Sequence, residues 1–142
     1  MNDRLPNVML VDDNPADIEL TREAFAETGL VAEFITMNDC ANALDYLTSC
    51  GSGTGARKPD FILLDLNMPR MDGRQLLARI KGDERLRMIP TVILTTSARR
   101  EDIHQCYELL ANSYLVKPAQ WDQFLVMIRD VKRYWFEASS LP

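Results

Sequence analysis

The sequence predicts an α/β protein: a doubly wound, five-stranded parallel sheet in strand order 2-1-3-4-5, folded as one domain over residues 1–142. Three observations carry that prediction. Strand-like and helix-like patterns alternate from end to end, as in consecutive βα units. The strand-like segments at 7–12, 60–65 and 91–96 are near-continuous apolar runs, the pattern of strands covered by helices on both faces. Finally, four runs deliver a charged or hydroxyl residue at the same end: Val8–Val11 into Asp12 and Asp13, Phe61–Leu64 into Asp65, Thr91–Leu94 into Thr95 and Thr96, and Tyr114–Val116 into Lys117.

The elements follow in order. After the first strand, Asn14 caps a helix with Pro15 at its first position, and Asp17 and Glu19 suit the positive end of the helix dipole. Ile18, Thr21 and Phe25 supply its buried stripe, and Gly29 ends it. Residues 32–37 form the second strand. Asn38 or Asp39 caps a second helix carrying Cys40, Leu44 and Leu47. Gly51–Gly55 reads as a flexible loop before the third strand. A third helix over 73–82 carries Leu76, Leu77 and Ile80, and a fourth carries Ile103, Tyr107 and Leu110. Residues 113–117 make the fifth strand. A last helix runs from 119 into the mid-130s with Phe124, Ile128, Val131 and Trp135 on one stripe, continuing into an extension and tail at 131–142.

Composition narrows the function. Hydrophobic content of 46% and charged content of 26% are ordinary for a soluble globular chain. A net charge of −5 argues against nucleic acid as the partner. No apolar stretch approaches the roughly 20 residues that span a bilayer, and the N-terminus lacks a secretory pattern, so a cytoplasmic protein is expected. Cys40, Cys50 and Cys106 have no metal-ligand spacing and are expected as free thiols. The only histidine, His104, is expected on a solvent-exposed helix face.

In an open sheet of this order ligands bind outside the strands' carboxyl ends, at the switch between strands 1 and 3. Those strands end in Asp12-Asp13 and Asp65. Carboxylates about 4 Å apart repel by about 4 kcal/mol per pair at an effective dielectric near 20, so a proton or a cation must intervene. Oxygen donors without imidazole or thiolate favour a hard ion, Mg²⁺ above all. Asp65 then reads as a carboxylate nucleophile that forms an acyl phosphate. Lys117 brings a cation to the phosphoryl oxygens and Thr95 a hydroxyl. A cis Lys117–Pro118 bond is expected to aim the ammonium inward. Each residue also has a plain alternative: a cap for Asp12, Asp13 or Asp65, a surface lysine for Lys117, a β-branched strand residue for Thr95.

Asp12-Asp13, Asp65 with Pro69 and Gly73 behind it, Thr95 and Lys117-Pro118 together resemble the receiver domain of bacterial two-component response regulators, over residues 6–130. The resemblance implies a flavodoxin-like fold and Mg²⁺-dependent transfer of phosphate from a sensor histidine kinase to Asp65. It implies metal binding by Asp12, Asp13, Asp65 and the backbone carbonyl of Asn67. Phosphoryl oxygens would be held by Lys117, Thr95 and backbone N–H groups near Asn67 and Thr96. Thr95 and Tyr114 match the switch positions, and Asn67 and Ser97 match positions that tune the lifetime of the acyl phosphate. Output is expected through the surface of helix 4, strand 5 and helix 5, without an output domain in the chain. The protein would be a phosphoacceptor and not an enzyme: an aspartyl-phosphate phosphatase typically carries a second carboxylate where Asn67 stands.

Tyr134, Trp135 and Phe136 point three ways around a helix, so not all of them can face one core. An exposed aromatic cluster of this kind marks an interface, and a homodimer is favoured over a tail folded onto its own domain. The Tyr-Trp-Phe and Leu-Pro ending, with the loop between helix 2 and strand 3, also resembles the small regulators that accompany bacterial and cyanobacterial phytochrome histidine kinases. That likeness implies a light-sensing kinase partner.

Overall fold

The computed structural model describes residues 4–50 and 56–142, so the predicted Gly51–Gly55 loop lies outside the described residues. Strands β1 (Asn7–Val11), β2 (Glu33–Met37), β3 (Phe61–Leu64), β4 (Thr91–Thr95) and β5 (Ser113–Val116) alternate with helices α1 (Pro15–Glu27), α2 (Cys40–Ser49), α3 (Gly73–Lys81), α4 (Arg100–Glu108) and α5 (Trp121–Arg133). All pairings are parallel and the order is β2-β1-β3-β4-β5, as the sequence predicts.

Successive strand residues point to opposite faces, and each face has its own core. Met9, Val11, Ile62, Leu64 and Ile93 meet Leu47 of α2 and Leu76, Leu77 and Ile80 of α3. Val8, Leu10, Phe61, Leu63 and Val92 meet Phe25 of α1 and Phe124 and Ile128 of α5. The inner strands β1, β3 and β4 are buried throughout, while the edge strand β5 is half-buried.

Local chemistry fixes the helix starts. Asn14 accepts from the Ala16 N–H at 2.9 Å with Pro15 at the first turn, and Asp39 rather than Asn38 caps α2 through the Asn42 N–H at 3.0 Å. Asp72 and Gln75 form a reciprocal capping box at α3. On α4 the buried positions are Asp102 and Cys106, one residue before the predicted Ile103 and Tyr107. Tyr107 and Leu110 are exposed. The helix is turned this way because the Asp102 carboxylate has buried polar partners, and it stops early because Leu110 adopts a φ of +72°.

The chain's end departs furthest from expectation. After α5 the helix widens into a π-helical turn, Tyr134–Ala138. Phe136 and Trp135 fold back onto the core, their ring centroids 5.2 and 5.5 Å from that of Phe61. Only Tyr134 is exposed, at 59%. Trp135 continues the stripe of Phe124, Ile128 and Val131 as expected, and the wider turn brings Phe136 inward beside it, so the expected exposed cluster reduces to one ring. Cys40, Cys50 and Cys106 are free and buried. Among the described residues no helix is long and apolar enough to cross a membrane.

Candidate functional site

The strand register assembles the site. Val11 pairs with Leu64, and Leu64 with Ile93, so Asp12 and Asp65 emerge side by side just past the strand ends, with Thr95 next along the sheet. The Asp65 N–H donates to the Val11 carbonyl at 2.9 Å, locking the two strand ends together. One oxygen from each of Asp12, Asp13 and Asp65 lies within 4.8 Å of the others. Asp12 is buried, Asp65 half-buried and Asp13 exposed, which leaves the cluster open on one side. The three carboxylates among the four expected metal residues are therefore together.

Lys117 arrives from the end of β5. Its ammonium donates to Asp12 Oδ2 at 2.8 Å and lies 3.6 Å from Asp17 and 4.0 Å from Asp65. The expected cis bond is not there: among the described residues every peptide bond is trans. The trans form is also the lower in energy, by about 0.5–1 kcal/mol before proline. The Lys117 N–H bonded to the Thr95 carbonyl at 2.7 Å already sets the strand end from which the ammonium reaches in.

Burial pushes the Asp65 carboxyl above its usual range, and the charge of Asp12 adds to this. Lys117 is the largest opposing influence, helped by the Thr95 hydroxyl and the Leu66 N–H. Burial pulls the Lys117 ammonium down, but the hydrogen bond and charge of Asp12, then Asp65 and Asp17, outweigh it and raise its pKa. The Cys40 thiol near the acids is pushed up to about 12, chiefly by burial, so it stays protonated and offers no thiolate. What remains is an all-oxygen donor set, fit for a hard divalent cation.

The second layer joins the predicted switch and tuning residues. The Asn67 amide donates to the Thr95 hydroxyl at 3.4 Å, and the Ser97 N–H points to the same oxygen at 3.5 Å. The Tyr114 hydroxyl donates to the Ser97 carbonyl at 2.9 Å. Thr96 is exposed and lines a groove of about 340 Å³ beside Lys117, Asp17 and Trp121. His104 lies away on α4, exposed and 3.3 Å from Glu108. Sequence reasoning missed three residues. Asp17, which its position in the first turn marks only as a dipole partner of α1, is also a carboxylate 3.6 Å from the Lys117 ammonium. Arg74 and Asp102 form a part-buried ion pair between α3 and α4, 28 positions apart, and no local pattern announces it.

The description "Response regulator receiver domain" matches residues 8–129. The chain belongs to this family. The receiver is 39% identical over 135 residues to the probable methanogenesis regulatory protein FilR2 of Methanothrix harundinacea (strain 6Ac), covering 95% of this chain and 86% of FilR2. It is 36% identical to the response regulator Rcp1 of Synechocystis sp. (strain ATCC 27184 / PCC 6803 / Kazusa), covering 95% of this chain and 92% of Rcp1. The crystal structure of the Mn²⁺-bound form of Rcp1 superposes with a TM-score of 0.88 over 96% of this chain and 99% of that one, at 36% identity. The phosphorylated cyanobacterial phytochrome response regulator RcpA superposes with a TM-score of 0.90 at 40% identity, over 97% of this receiver and 99% of RcpA. The receiver is thus a signalling protein of the two-component type.

Proposed function

We propose that Asp65 is the phosphoacceptor and that its donor is a histidine kinase of the phytochrome class. The reading is carried by one observation: three carboxylates converge at two adjacent strand ends with a half-buried ammonium across from them. An Asp65 carboxylate oxygen bonds to phosphorus as the donor's P–N bond breaks, and the imidazole leaves with the electron pair and takes up a proton. Asp12, Asp13, Asp65 and the Asn67 backbone carbonyl hold Mg²⁺. The ion supplies neutralisation of the charge shared between carboxylates and phosphoryl oxygens. Lys117 and the Thr95 hydroxyl hold the phosphoryl oxygens from the other side, with the Thr96 backbone N–H beside them. Asn67 and Ser97 set how long the acyl phosphate lasts.

The names of the relatives support this reading: RcpA is a phytochrome response regulator crystallised in phosphorylated form, and Rcp1 was crystallised with Mn²⁺. The protein works in the cytoplasm as a phosphoacceptor without turnover of a small-molecule substrate. Its phosphorylated form signals through α4, β5 and α5, where Tyr107, Val126 and Tyr134 are exposed. It does so by way of a homodimer, with neither nucleic acid nor membrane as partner. Acetyl phosphate with Mg²⁺, followed by intact-mass measurement, tests the core of the proposal. One added phosphoryl group, absent in Asp65→Asn and in excess EDTA, is expected. Continuous turnover of the donor without a labelled protein would instead indicate a phosphatase, and no labelling from any phosphodonor would overturn the assignment.

A further inference from the structure

We propose that Arg74 and Asp102 are positioning residues, whose ion pair clasps Ser97 and thereby fixes the β4–α4 connection in the arrangement that seats Tyr114. The inference rests on Asp65 being the phosphoacceptor and adds to it the part of the structure that holds the switch.

Asp102 is 6% exposed, in the first turn of α4, and its two oxygens are divided between two partners. Oδ1 accepts from Arg74 Nη2 at 2.5 Å, and Oδ2 accepts from the Ser97 hydroxyl at 2.6 Å. These two groups, the Ser97 hydroxyl first, hold the Asp102 carboxyl below the usual carboxylate range. Ser97 passes the constraint on in three directions. Its carbonyl receives the Tyr114 hydroxyl, its hydroxyl accepts the Arg99 N–H at 3.3 Å, and its own N–H faces the Thr95 hydroxyl. Little else restrains this stretch: Thr96, Ala98 and Arg99 are exposed, and α4 starts without a side-chain cap.

The other end of the clasp is anchored beside the phosphoacceptor. Arg74 follows Gly73, whose Cα lies so close to the Asp65 carbonyl that a Cβ there would sit 2.2 Å from it. Arg74 also lies 3.5 Å from Asp72, the cap of α3. The pair therefore spans from the backbone behind Asp65 to the loop that Tyr114 grips. A buried ion pair is a weak source of net stability, because desolvation consumes most of its attraction. What it supplies here is direction: a short guanidinium–carboxylate contact admits few geometries, and Ser97 is bonded to the same carboxylate. The clasp thereby favours Tyr114 seated on Ser97 over arrangements in which the ring leaves that carbonyl, and loosening the clasp lowers the seated population.

The test uses full-length protein carrying 3-fluorotyrosine, read by ¹⁹F NMR. The four tyrosines give four lines, with Tyr114 assigned by Tyr114→Phe. Arg74→Met is expected to shift or split the Tyr114 line while the Tyr46 and Tyr134 lines stay in place. It is also expected to slow phosphorylation by phosphoramidate with Mg²⁺ by roughly three- to tenfold, as the seated arrangement becomes the minority. Arg74→Lys, which keeps the charge, recovers most of both effects. Should Arg74→Met not fold, Asp102→Asn gives the same two readouts, since its amide cannot accept from both Arg74 and Ser97. A lowered melting temperature with an unmoved Tyr114 line and an unchanged rate would overturn the proposal and leave a purely structural brace. Failure of the wild type to gain a phosphoryl group would refute the phosphoacceptor assignment instead, while the ¹⁹F readout still judges the clasp.

Discussion

The ammonium of Lys117 donates to Asp12 at 2.8 Å, across 105 positions of sequence. Asp65 is more distant from the same nitrogen, at 4.0 Å. Among the described residues the cation at the centre of the site is therefore held mainly by Asp12, one of the three clustered carboxylates. A phosphoryl group on Asp65, as proposed, would have to compete with Asp12 for it. Asp12, with a divalent cation bound, would release Lys117 more readily, because the cation would satisfy the oxygen that the ammonium leaves.

Removal of this ammonium exposes the repulsion it offsets. In Lys117→Met, Asp12 and Asp65 face each other with no counter-charge, and breaking a buried pair by removing one partner costs about 3–5 kcal/mol. With both side chains close to one-tenth exposed, the lower end of that range is expected in EDTA. Millimolar Mg²⁺ should recover part of it, since the ion takes over the neutralising role. Urea denaturation of wild type and variant, each with EDTA and with Mg²⁺, measures both. Equal losses in the two buffers would show that Lys117 and the metal do not share a job.

Asp65→Asn is expected to abolish phosphorylation and, in EDTA at neutral pH, to raise stability. The sign follows from the upward shift of the Asp65 pKa, which burial causes first and Asp12 reinforces. A carboxyl raised above its unfolded value favours the folded state below the unfolded pKa, and that benefit is lost as pH rises through the folded pKa. Above that window the ionised group opposes folding, and asparagine removes the charge. Melting temperatures followed from acid to neutral pH in EDTA should diverge upward for Asp65→Asn and converge in acid. Saturating Mg²⁺ should raise the wild type more than the variant, because an ion that binds only the folded state stabilises it.

The parts of this architecture that were legible in the sequence are the parts with local signatures. Val8–Val11 and Phe61–Leu64 are unbroken apolar strands because both their faces are covered, and Asn14-Pro15 announces α1 through capping chemistry alone. The site was legible because Asp12, Asp13, Asp65, Thr95 and Lys117 all sit at the same end of a parallel sheet. The misreadings have non-local causes. Asp102, a charged residue, is buried on α4 only because Arg74 and Ser97 meet it from elsewhere, so apolar periodicity chose the wrong face. Trp135 keeps to the inward stripe that the helical repeat gives, but Phe136 joins it through a wider helical turn, which a 3.6-residue repeat does not anticipate.

The inward turn separates the roles of the three terminal aromatics. Trp135→Ala removes a ring stacked near Phe61 and is expected to cost about 2–3 kcal/mol, below the usual range for a fully buried aromatic because Trp135 is only partly covered. Tyr134→Ala, at an exposed position, is expected to leave stability within about 0.5 kcal/mol. If α5 contributes to a homodimer, that same substitution weakens association. Light scattering over a concentration series, beside thermal melts, distinguishes the two. A dimer insensitive to Tyr134→Ala would place the contact elsewhere than at the end of α5.

Gly73 is the position where the smallest change should do the most harm. It is the first residue of α3, its N–H donates to the Leu66 carbonyl at 3.0 Å, and a Cβ built on it lies 2.2 Å from the Asp65 carbonyl and 2.8 Å from the Leu66 Cα. Both obstacles are backbone atoms, so no side-chain rotation relieves the clash. Alanine is the better helix former by about 1 kcal/mol, which would stabilise an unobstructed helix start. Here overpacking of about 1–3 kcal/mol opposes it, and the relief route is displacement of α3 away from the β3 end. Because the obstructing atoms are backbone of Asp65 and Leu66, the same separation pushes on the segment that places Asp65 and Asn67. Gly73→Ala is therefore expected to fold with a net loss of up to about 2 kcal/mol. Mg²⁺ affinity and the rate of acyl-phosphate formation should fall more steeply than stability does. Titration of Mg²⁺ against the fluorescence of Trp121, which lines the groove beside Lys117, gives the affinity, and intact mass gives the rate. A variant with lowered stability but unaltered metal binding would mean that the Asp65 backbone is not what yields.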